Sequence, residues 1–373
     1  MNALQARIGD QLRRVPQPLI VMLGALAVGG LDYFFSTRDW INLGRPCWDN
    51  YCHYAELLYK WLSGQAVERR LWAFMSEDYH SNSPMGPLLI AGLKLVTGLD
   101  TIASYRTCVF LASLASVLLL WRGLFGLLQT GSQEVAAALL LFSTHLIFVR
   151  SSFFPQADAF VLLWGTALLV LAARRSVARR PWHGSACFLL LVTGLFVKLS
   201  FLPALALLPV WSVVEALASR RWPQLRRLAA ELLLYSLLPL AIFLLVQQRL
   251  GLLHLYGVEL RAIAGSDSHV LFVAMSLVHA AAIFGPLAWL GRRRFTRLEA
   301  LLLAWAALYL AALWLSRASG WDRFYLAVLP PLTVTAARGL AIVKEELGAG
   351  PLWAGVVLAA ALNYAALWFN VYY

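Results

Sequence analysis

The chain has 373 residues, of which 61% are hydrophobic and only 13% are charged, and its mean hydropathy is +0.69. Charged residues make up about a quarter of an ordinary soluble domain, so this composition excludes a soluble globular protein and indicates a polytopic membrane protein. The net charge of +12 does not indicate nucleic-acid binding, because the basic residues are not collected on one soluble face.

Apolar runs close to the ~20 residues needed to cross a bilayer recur along the chain. They are continuously apolar rather than alternating, which favours helices over a membrane barrel of strands. The predicted fold class is all-α, a polytopic integral membrane protein with residues 1–373 in a single transmembrane domain. The eleven predicted transmembrane helices are 18–36, 102–121, 132–149, 153–173, 184–198, 200–218, 228–248, 269–290, 298–315, 323–342 and 351–370.

The order of charges along the chain predicts the topology. The first span follows a basic segment as a signal sequence does, but it ends in Asp32 and aromatic residues, so we interpret it as a retained anchor. The positive-inside rule places the basic runs between later spans in the cytoplasm. These runs are "ARRSVARR" (173–180), "SRRWPQLRR" (219–227) and "GRRRFTR" (291–297).

With this topology, residues 37–101 form a first outer loop and residues 249–268 a second one. The apolar run 86–99 lies inside the first loop, and as a helix it is only ~20 Å long, short of the ~30 Å membrane core. Counting it as a span would also move every later basic run outside. We therefore predict that 86–99 is a helix at the outer membrane interface.

A second helix of the first outer loop is predicted directly after Asp49. Apolar side chains follow at the i, i+3, i+4, i+7 spacing of an amphipathic helix, which would lie on the membrane surface with its aromatic rings at the headgroups. The apolar positions are Tyr51, Tyr54, Ala55, Leu58, Trp61 and Leu62, and the polar face carries His53, Glu56 and Lys60.

Asp49 itself has two compatible interpretations. Aspartate directly before a helix is a favoured N-cap, and a capping carboxylate can still accept a proton through its second oxygen. Cys47 and Cys52 flank Asp49 in an oxidising compartment and could close a small disulfide ring. Against the ring, five residues of helix would hold their α-carbons too far apart.

Three charged residues lie near the outer ends of predicted spans: Arg150, Asp158 and Lys198. A charge inside a hydrophobic run costs at least ~2.5 kcal/mol at mid-membrane, so charges kept there usually face a cavity or a partner. Lys198 has the alternative of a side chain that snorkels to the interface. For Asp158, a salt bridge with Arg150 and a role in the site are both open.

Five segments, taken together and in this order, resemble the polyprenyl-phosphate-sugar-dependent membrane glycosyltransferases of the GT-C superfamily. The similarity is greatest to the protein O-mannosyltransferase and aminoarabinose transferase group, and it covers most of the chain. The segments are "WDNYCHYAELLYKWLSG" (48–64), "YHSNSPMGPLLIAGLKLVTGLD" (79–100), "FFPQADAFVLL" (153–163), "GLFVKLSFLPALALLP" (194–209) and "WDRFYLAVLPPLTVTAARGLA" (321–341).

The resemblance implies that Asp49 is the catalytic base. The family often has Glu at the next position, where this chain has Asn50, and its Pro-Pro-Leu element is separated here into "PMGPLL". It also implies that Lys198 and Arg323 bind the lipid phosphate of the donor. His80 and Arg150 are further candidates for that phosphate, since no basic residue directly precedes the separated prolines.

Substrate-binding candidates are taken from the neighbourhood of these segments and from the second outer loop, whose residues could close over a sugar. A solvated surface loop is the alternative there, and Trp321 and Tyr325 could equally belong to an aromatic belt at the interface. The candidates are Asn50, Asp158, His254, Tyr256, Arg261 and Tyr325.

The function predicted from these residues is an inverting glycosyltransferase. It would move a monosaccharide from a polyprenyl-phosphate sugar to a hydroxyl-bearing lipid, glycan or protein, with the active site on the periplasmic face of a bacterial inner membrane. No metal or other cofactor is implied, because no aspartate-rich metal motif and no Gly-rich phosphate loop occurs; a divalent cation remains open.

Two other classes of membrane protein would have a similar composition and are alternative functions for this chain. A transporter or flippase for a lipid-linked saccharide also needs intramembrane charges, although no internal repeat is visible and the charges lie at span ends. A lipid-linked polysaccharide polymerase or ligase would share the substrates, with a less prominent first outer loop. Transfer chemistry would distinguish the enzymes from the transporter.

Overall fold

The computed structural model describes residue 24 and the ranges 51–67, 83–153, 157–178, 180–219, 224–253, 282–316 and 322–371. Helices are the only regular secondary structure in these ranges, which confirms the all-α prediction for them. The α-helices are α1 (Tyr51–Leu62), α2 (Met85–Thr97), α3 (Thr101–Leu128), α4 (Ser132–Ser143), α5 (Leu146–Phe153), α6 (Asp158–Val177), α7 (Pro181–Val197), α8 (Leu207–Ser219), α9 (Gln224–Leu232, continuing through Leu238–Arg249), α10 (Phe284–Gly291), α11 (Arg297–Ser316), α12 (Leu329–Leu347) and α13 (Ala349–Val371).

Several of these helices contain or follow a change of helix type. Two π segments, Leu119–Phe125 and Leu233–Leu237, lie within α3 and between the two parts of α9. Two long 3-10 segments, Leu199–Ala206 and Asp322–Val328, lead directly into α8 and α12. Long 3-10 stretches and π turns are uncommon and are often found near functional sites.

Five helical segments of the described ranges are long and apolar enough to cross a membrane, which supports an integral membrane protein. Each one overlaps a predicted span. They are Thr101–Leu128, Asp158–Val177, Leu199–Ala216, Leu228–Arg249 and Tyr325–Leu347. The predicted span 18–36 and most of 269–290 lie outside the described residues, so the number eleven stays a prediction.

One predicted span is wrong as a single helix. The run 132–149 forms α4 and α5, which are separated at Thr144 and His145. The Thr144 hydroxyl donates to the carbonyl of Leu140 (2.8 Å), and the backbone N–H of Ile147 donates to Nδ1 of His145 (3.3 Å). Polar side chains that bond to nearby backbone compete with the helical ladder, which ends α4 here.

The run 86–99 forms a short helix, α2, as predicted, while its position at the membrane interface stays a prediction; a left-handed glycine ends the helix. Gly98 adopts a left-handed conformation (φ 71°) and its N–H donates to the carbonyl of Lys94, which closes the helix. Asp100 then caps α3 by accepting a bond from the N–H of Ala103 (2.8 Å). The turn between them holds α2 against the first turn of α3.

The centre and the periphery of the bundle differ in burial. In the most apolar 18 residues of Tyr325–Leu347, 72% of the residues are buried inside the protein. In Leu228–Arg249 the share is 22%, and most leucines of this segment are exposed, as expected for contact with lipid. The segment containing α12 packs against α4, α10, α11 and α13. A Cβ atom at Gly339 would overlap the carbonyl of Leu287, so α10 and α12 approach each other backbone to backbone.

Ion pairs connect distant helices where they adjoin the predicted cytoplasmic segments. In each pair the carboxylate is almost fully buried and the basic side chain is partly exposed, so each buried negative charge has a positive partner. The pairs are Arg175–Glu231 (2.7 Å), Arg338–Glu299 (2.5 Å) and Lys344–Glu134 (2.8 Å).

Candidate functional site

The predicted site residues are described to different extents. Asp158, Lys198 and Tyr325 are described with their side chains, whereas Arg150 in α5 and Arg323 in the second 3-10 segment are described only by their backbone. The remaining predicted residues lie outside the described ranges, so their roles stay predictions. They are Asp49, Asn50, His80, His254, Tyr256 and Arg261.

Asp158 and Lys198 form a buried ion pair. Asp158 is in the first turn of α6, and Lys198 follows the last residue of α7. The Lys198 ammonium donates to both carboxylate oxygens, at 2.9 and 3.1 Å, and the side chains of Asp158 and Lys198 are 3% and 19% exposed. The position at the start of a helix also favours the negative charge of Asp158. Lys198 is therefore held inside the bundle by a carboxylate rather than extended to the interface.

The backbone conformation of Lys198 places its side chain where it can reach Asp158. Its extended conformation (φ −167°, ψ 143°) interrupts the helix between α7 and the 3-10 segment. A Cβ atom at Gly194 would overlap the ring of Phe201, so the glycine lets the chain after the break pack closely against α7. A broken helix at membrane depth is tolerated where protein covers it or a cavity is lined by it.

Sequence analysis predicted a salt bridge from Asp158 to Arg150 or a role in the site. The structure shows that Lys198 is a partner of Asp158, a pairing the sequence did not indicate because the two residues are 40 positions apart. The Arg150 side chain lies outside the described atoms.

Tyr51, the first residue of α1, connects the predicted motif segments. Its hydroxyl makes a long hydrogen bond (3.4 Å) to the carbonyl of Val197, and its ring stacks on Tyr105 with 6.0 Å between the ring centroids. The same ring occupies the space beside Gly86, where a Cβ atom would lie 2.7 Å from the ring and 3.5 Å from Phe160. Tyr51 therefore contacts the segments that contain "PMGPLL" and "FVKL", and Phe160 of the "QADAF" segment approaches the same glycine.

The contact at Gly86 was missed by the sequence analysis. Sequence contained one signal for it, the glycine between Pro84 and Pro87, because a small residue between two prolines permits close approach of another chain. The large ring that fills this space could not be identified without the tertiary structure.

Tyr325 lies inside the protein. Its side chain is 0% exposed, and its hydroxyl is buried without a hydrogen-bond partner in the described part of the chain. The 3-10 segment that carries it packs on α5, α6 and α11, and the Trp305 indole donates to the carbonyl of Ala327 (2.9 Å). Arg323 thus belongs to a segment that rests on α6, the helix that begins with Asp158.

Cys52 takes part in a disulfide, whereas Cys108 and Cys187 are free. The sequence left open whether Cys47 and Cys52 form a disulfide ring around Asp49. Cys52 is oxidised, and Cys47 lies outside the described residues, so the ring itself stays open.

Comparison with known proteins gives matches to solved structures. No family model and no curated protein sequence matches the chain. The crystal structure of ArnT from Cupriavidus metallidurans in the apo state is 18% identical, with a TM-score of 0.54 over 85% of this chain and 58% of that chain. The structure of the same protein bound to undecaprenyl phosphate is 16% identical, with a TM-score of 0.58 over 93% of this chain and 63% of that chain.

The chain therefore spans about three fifths of the length of the ArnT chains that it matches. The matches extend over most of the present chain, so the shared architecture includes most of the helices described above. The protein has the fold of the ArnT structures, so the similarity to the aminoarabinose transferase group is confirmed at the level of the fold.

Proposed function

We propose that the protein is a glycosyltransferase that moves a monosaccharide from a polyprenyl-phosphate donor to a hydroxyl acceptor on the non-cytoplasmic face of the membrane. The observation that carries the proposal is the contact of Tyr51 with Gly86 and Val197, next to the Asp158–Lys198 pair. The fold supports it, because a protein of the same fold binds undecaprenyl phosphate.

Asp49 is the proposed general base. It precedes Tyr51 by two residues, and two residues span at most about 7 Å between α-carbons. The proposal thus places the carboxylate at the junction that Tyr51 forms with the segment preceding Lys198. A carboxylate before a helix accepts backbone N–H bonds that fix its direction, and its remaining lone pairs accept the proton of an acceptor hydroxyl.

Lys198 is proposed to bind the donor phosphate together with Arg323, with Arg150 and His80 as further contacts. Asp158 fixes the direction of the Lys198 ammonium through two hydrogen bonds. A cation that is already oriented in a poorly hydrated site stabilises growing negative charge without reorganising. The role of Asp158 in the site is then to orient Lys198.

In the proposed step, the acceptor oxygen attacks the anomeric carbon from the face opposite the lipid phosphate, and its proton moves to Asp49. The new C–O bond forms as the bond from the anomeric carbon to the phosphate oxygen breaks, and that electron pair leaves with the phosphate. Attack from the opposite face inverts the anomeric configuration, and the oxocarbenium-like transition state places the growing charge against Lys198 and Arg323.

We propose that residues of the first and second outer loops recognise the sugar and the acceptor. We propose Asn50, His254, Tyr256 and Arg261 as substrate contacts. Tyr325 is proposed to have a supporting role, since its side chain is buried. Sugars differ in hydroxyl orientation, which a few such polar contacts distinguish.

The test compares the wild type with Asp49→Asn in detergent or liposomes, with polyprenyl-phosphate mannose or a related lipid-linked sugar as donor. We expect the wild type to release polyprenyl phosphate and the variant to lose at least about 100-fold in rate, the usual contribution of a general base. An Asp49→Asn protein that folds and transfers sugar at the wild-type rate would refute the base. Movement of the intact donor across the liposome membrane without transfer would favour the transporter instead.

A further inference from the structure

A polar cluster on α1 joins this helix to α2 and α3. The Lys94 ammonium lies 2.5 Å from a carboxylate oxygen of Glu56 and 3.0 Å from the hydroxyl of Thr101. The Thr101 hydroxyl also donates to the same Glu56 oxygen. Lys94 lies over the ring of Tyr59, 4.3 Å from its centroid. Three helices thus meet at one carboxylate, in what we name the Glu56 cluster (Glu56, Tyr59, Lys94 and Thr101).

The faces of α1 agree in part with the predicted amphipathic pattern, since Tyr51, Tyr54 and Ala55 are buried. Glu56, predicted on the polar face, bonds to Lys94 and Thr101, and its side chain is 37% exposed. The buried positions of α1 include Leu57, whereas Trp61, predicted on the apolar face, is 60% exposed. The helix therefore packs on α2 and α3 with one face rather than resting on lipid alone.

The first turn of α1 is fixed separately. Tyr51 is 2% exposed, and its ring lies between Gly86 of α2 and Tyr105 of α3. The Glu56 cluster holds the next turns against the same two helices. Both contacts therefore anchor α1 against α2 and α3 at two separate points.

The charges of the cluster are matched. Glu56 faces Lys94 and, on its own helix, Lys60. Partial burial raises the pKa of Glu56, but the hydrogen bonds from Lys94 and Thr101 and the two positive charges outweigh it, so the pKa lies below its ordinary value. The carboxylate is thus ionised at neutral pH, and the ion pair persists under the conditions in which transfer would be measured.

We propose that Glu56, Lys94 and Thr101 are positioning residues of the transferase, which hold α1 so that Asp49, directly before it, stays aligned with the acceptor hydroxyl. This inference rests on the proposed function. General-base catalysis needs the carboxylate within hydrogen-bond reach of the proton, and a misplacement of about 1 Å costs about 100-fold in rate. The rate of the chemical step, rather than donor affinity, is therefore the quantity that the cluster controls.

The experiment uses the full chain in detergent with the polyprenyl-phosphate mannose donor and measures kcat, donor KM and the melting temperature. Glu56→Gln and Lys94→Met are each expected to lower kcat by about 10-fold to 100-fold with donor KM changed less than about twofold, because only the base is displaced. The reversed pair Glu56→Lys with Lys94→Glu restores the ion pair, and we expect it to recover most of kcat.

Two controls separate positioning from general destabilisation. Lys60→Met removes one positive charge from the same helix, at a side chain without a hydrogen bond to the described residues, and is expected to keep kcat. Arg294→Gln with Glu345→Gln removes an exposed ion pair that joins other helices (2.5 Å) and is also expected to keep kcat.

The outcomes are distinct from those of the proposed function. If Asp49→Asn is inactive but Glu56→Gln has the wild-type kcat, the positioning role is refuted and the transferase stands. If Glu56→Gln is too unstable to assay, the reversed pair decides, because a reversed pair with restored melting temperature and low kcat also refutes the role. If Asp49→Asn is fully active, the proposed base fails, and the inference fails with it.

Discussion

The substitution Gly86→Ala tests the junction at Tyr51 with a single methyl group. A Cβ atom at this position would lie 2.7 and 3.2 Å from two carbons of the Tyr51 ring. Carbon atoms in contact are separated by about 3.5–4.0 Å, so the ring must move by about 1 Å. Tyr51 also stacks on Tyr105, with 6.0 Å between the ring centroids, so we expect the displacement of its ring to shift the start of α1.

The expected magnitude follows from this shift. Overpacking costs about 1–3 kcal/mol of unfolding free energy, and alanine returns up to about 1 kcal/mol through its higher helix propensity. The net loss of stability is thus at most about 3 kcal/mol, which leaves a protein of ordinary stability folded. The rate of transfer should fall by about 100-fold, because a displacement of 1 Å at the base has that effect.

The assay is sugar transfer at saturating donor together with a melting curve. Gly92→Ala is the matched control, since Gly92 lies on the same helix and a Cβ atom there would have no neighbour within 4 Å. We expect the control to keep its activity and to gain stability slightly. A Gly86→Ala protein with wild-type kcat would show that the Tyr51 contact does not align the site.

Two further predictions concern charge. The pKa of Glu56 is depressed below its ordinary value of 4.5, so its contribution to stability is present above that pH and is lost as the pH falls through the lower folded pKa. Below about pH 4.5 the melting temperature of the wild type should therefore fall more than that of Glu56→Gln. Parallel melting curves for the two proteins would contradict this. Lys198→Met removes the ammonium that donates two hydrogen bonds to the buried carboxylate of Asp158, with an expected cost of about 3–5 kcal/mol. Adding Asp158→Asn should recover part of the melting temperature, and no recovery would show that the pair is not the source of the loss.

The positions of the described helices could largely be predicted from hydropathy, because a membrane-spanning helix must be apolar over a fixed length. The break between α4 and α5 could not, since leucine, isoleucine and phenylalanine continue on both sides of it. At the break, the side chains of Thr144 and His145 bond to the backbone of nearby residues. A similar side-chain bond, from Ser116 to the carbonyl of Ala112, lies inside the intact helix α3, so such residues do not mark a break in the sequence.

The site was predicted in part. Asp158 and Lys198 were identified from the cost of charges in apolar runs, but their pairing depends on the antiparallel packing of α6 and α7. The Glu56 cluster was missed for a different reason. The helical period of α1 gives the spacing of its apolar residues, but it does not show whether lipid, water or another helix covers each face.

The 3-10 segment after Lys198 has a consequence for how the membrane is crossed. A 3-10 helix rises about 2.0 Å per residue and an α-helix about 1.5 Å, so the 18 residues of Leu199–Ala216, of which the first 8 are 3-10, reach about 31 Å instead of about 27 Å. That extra length bridges a hydrocarbon layer of about 30 Å with a segment that would otherwise fall short. The tighter winding thus gives this 18-residue stretch the length that a crossing needs.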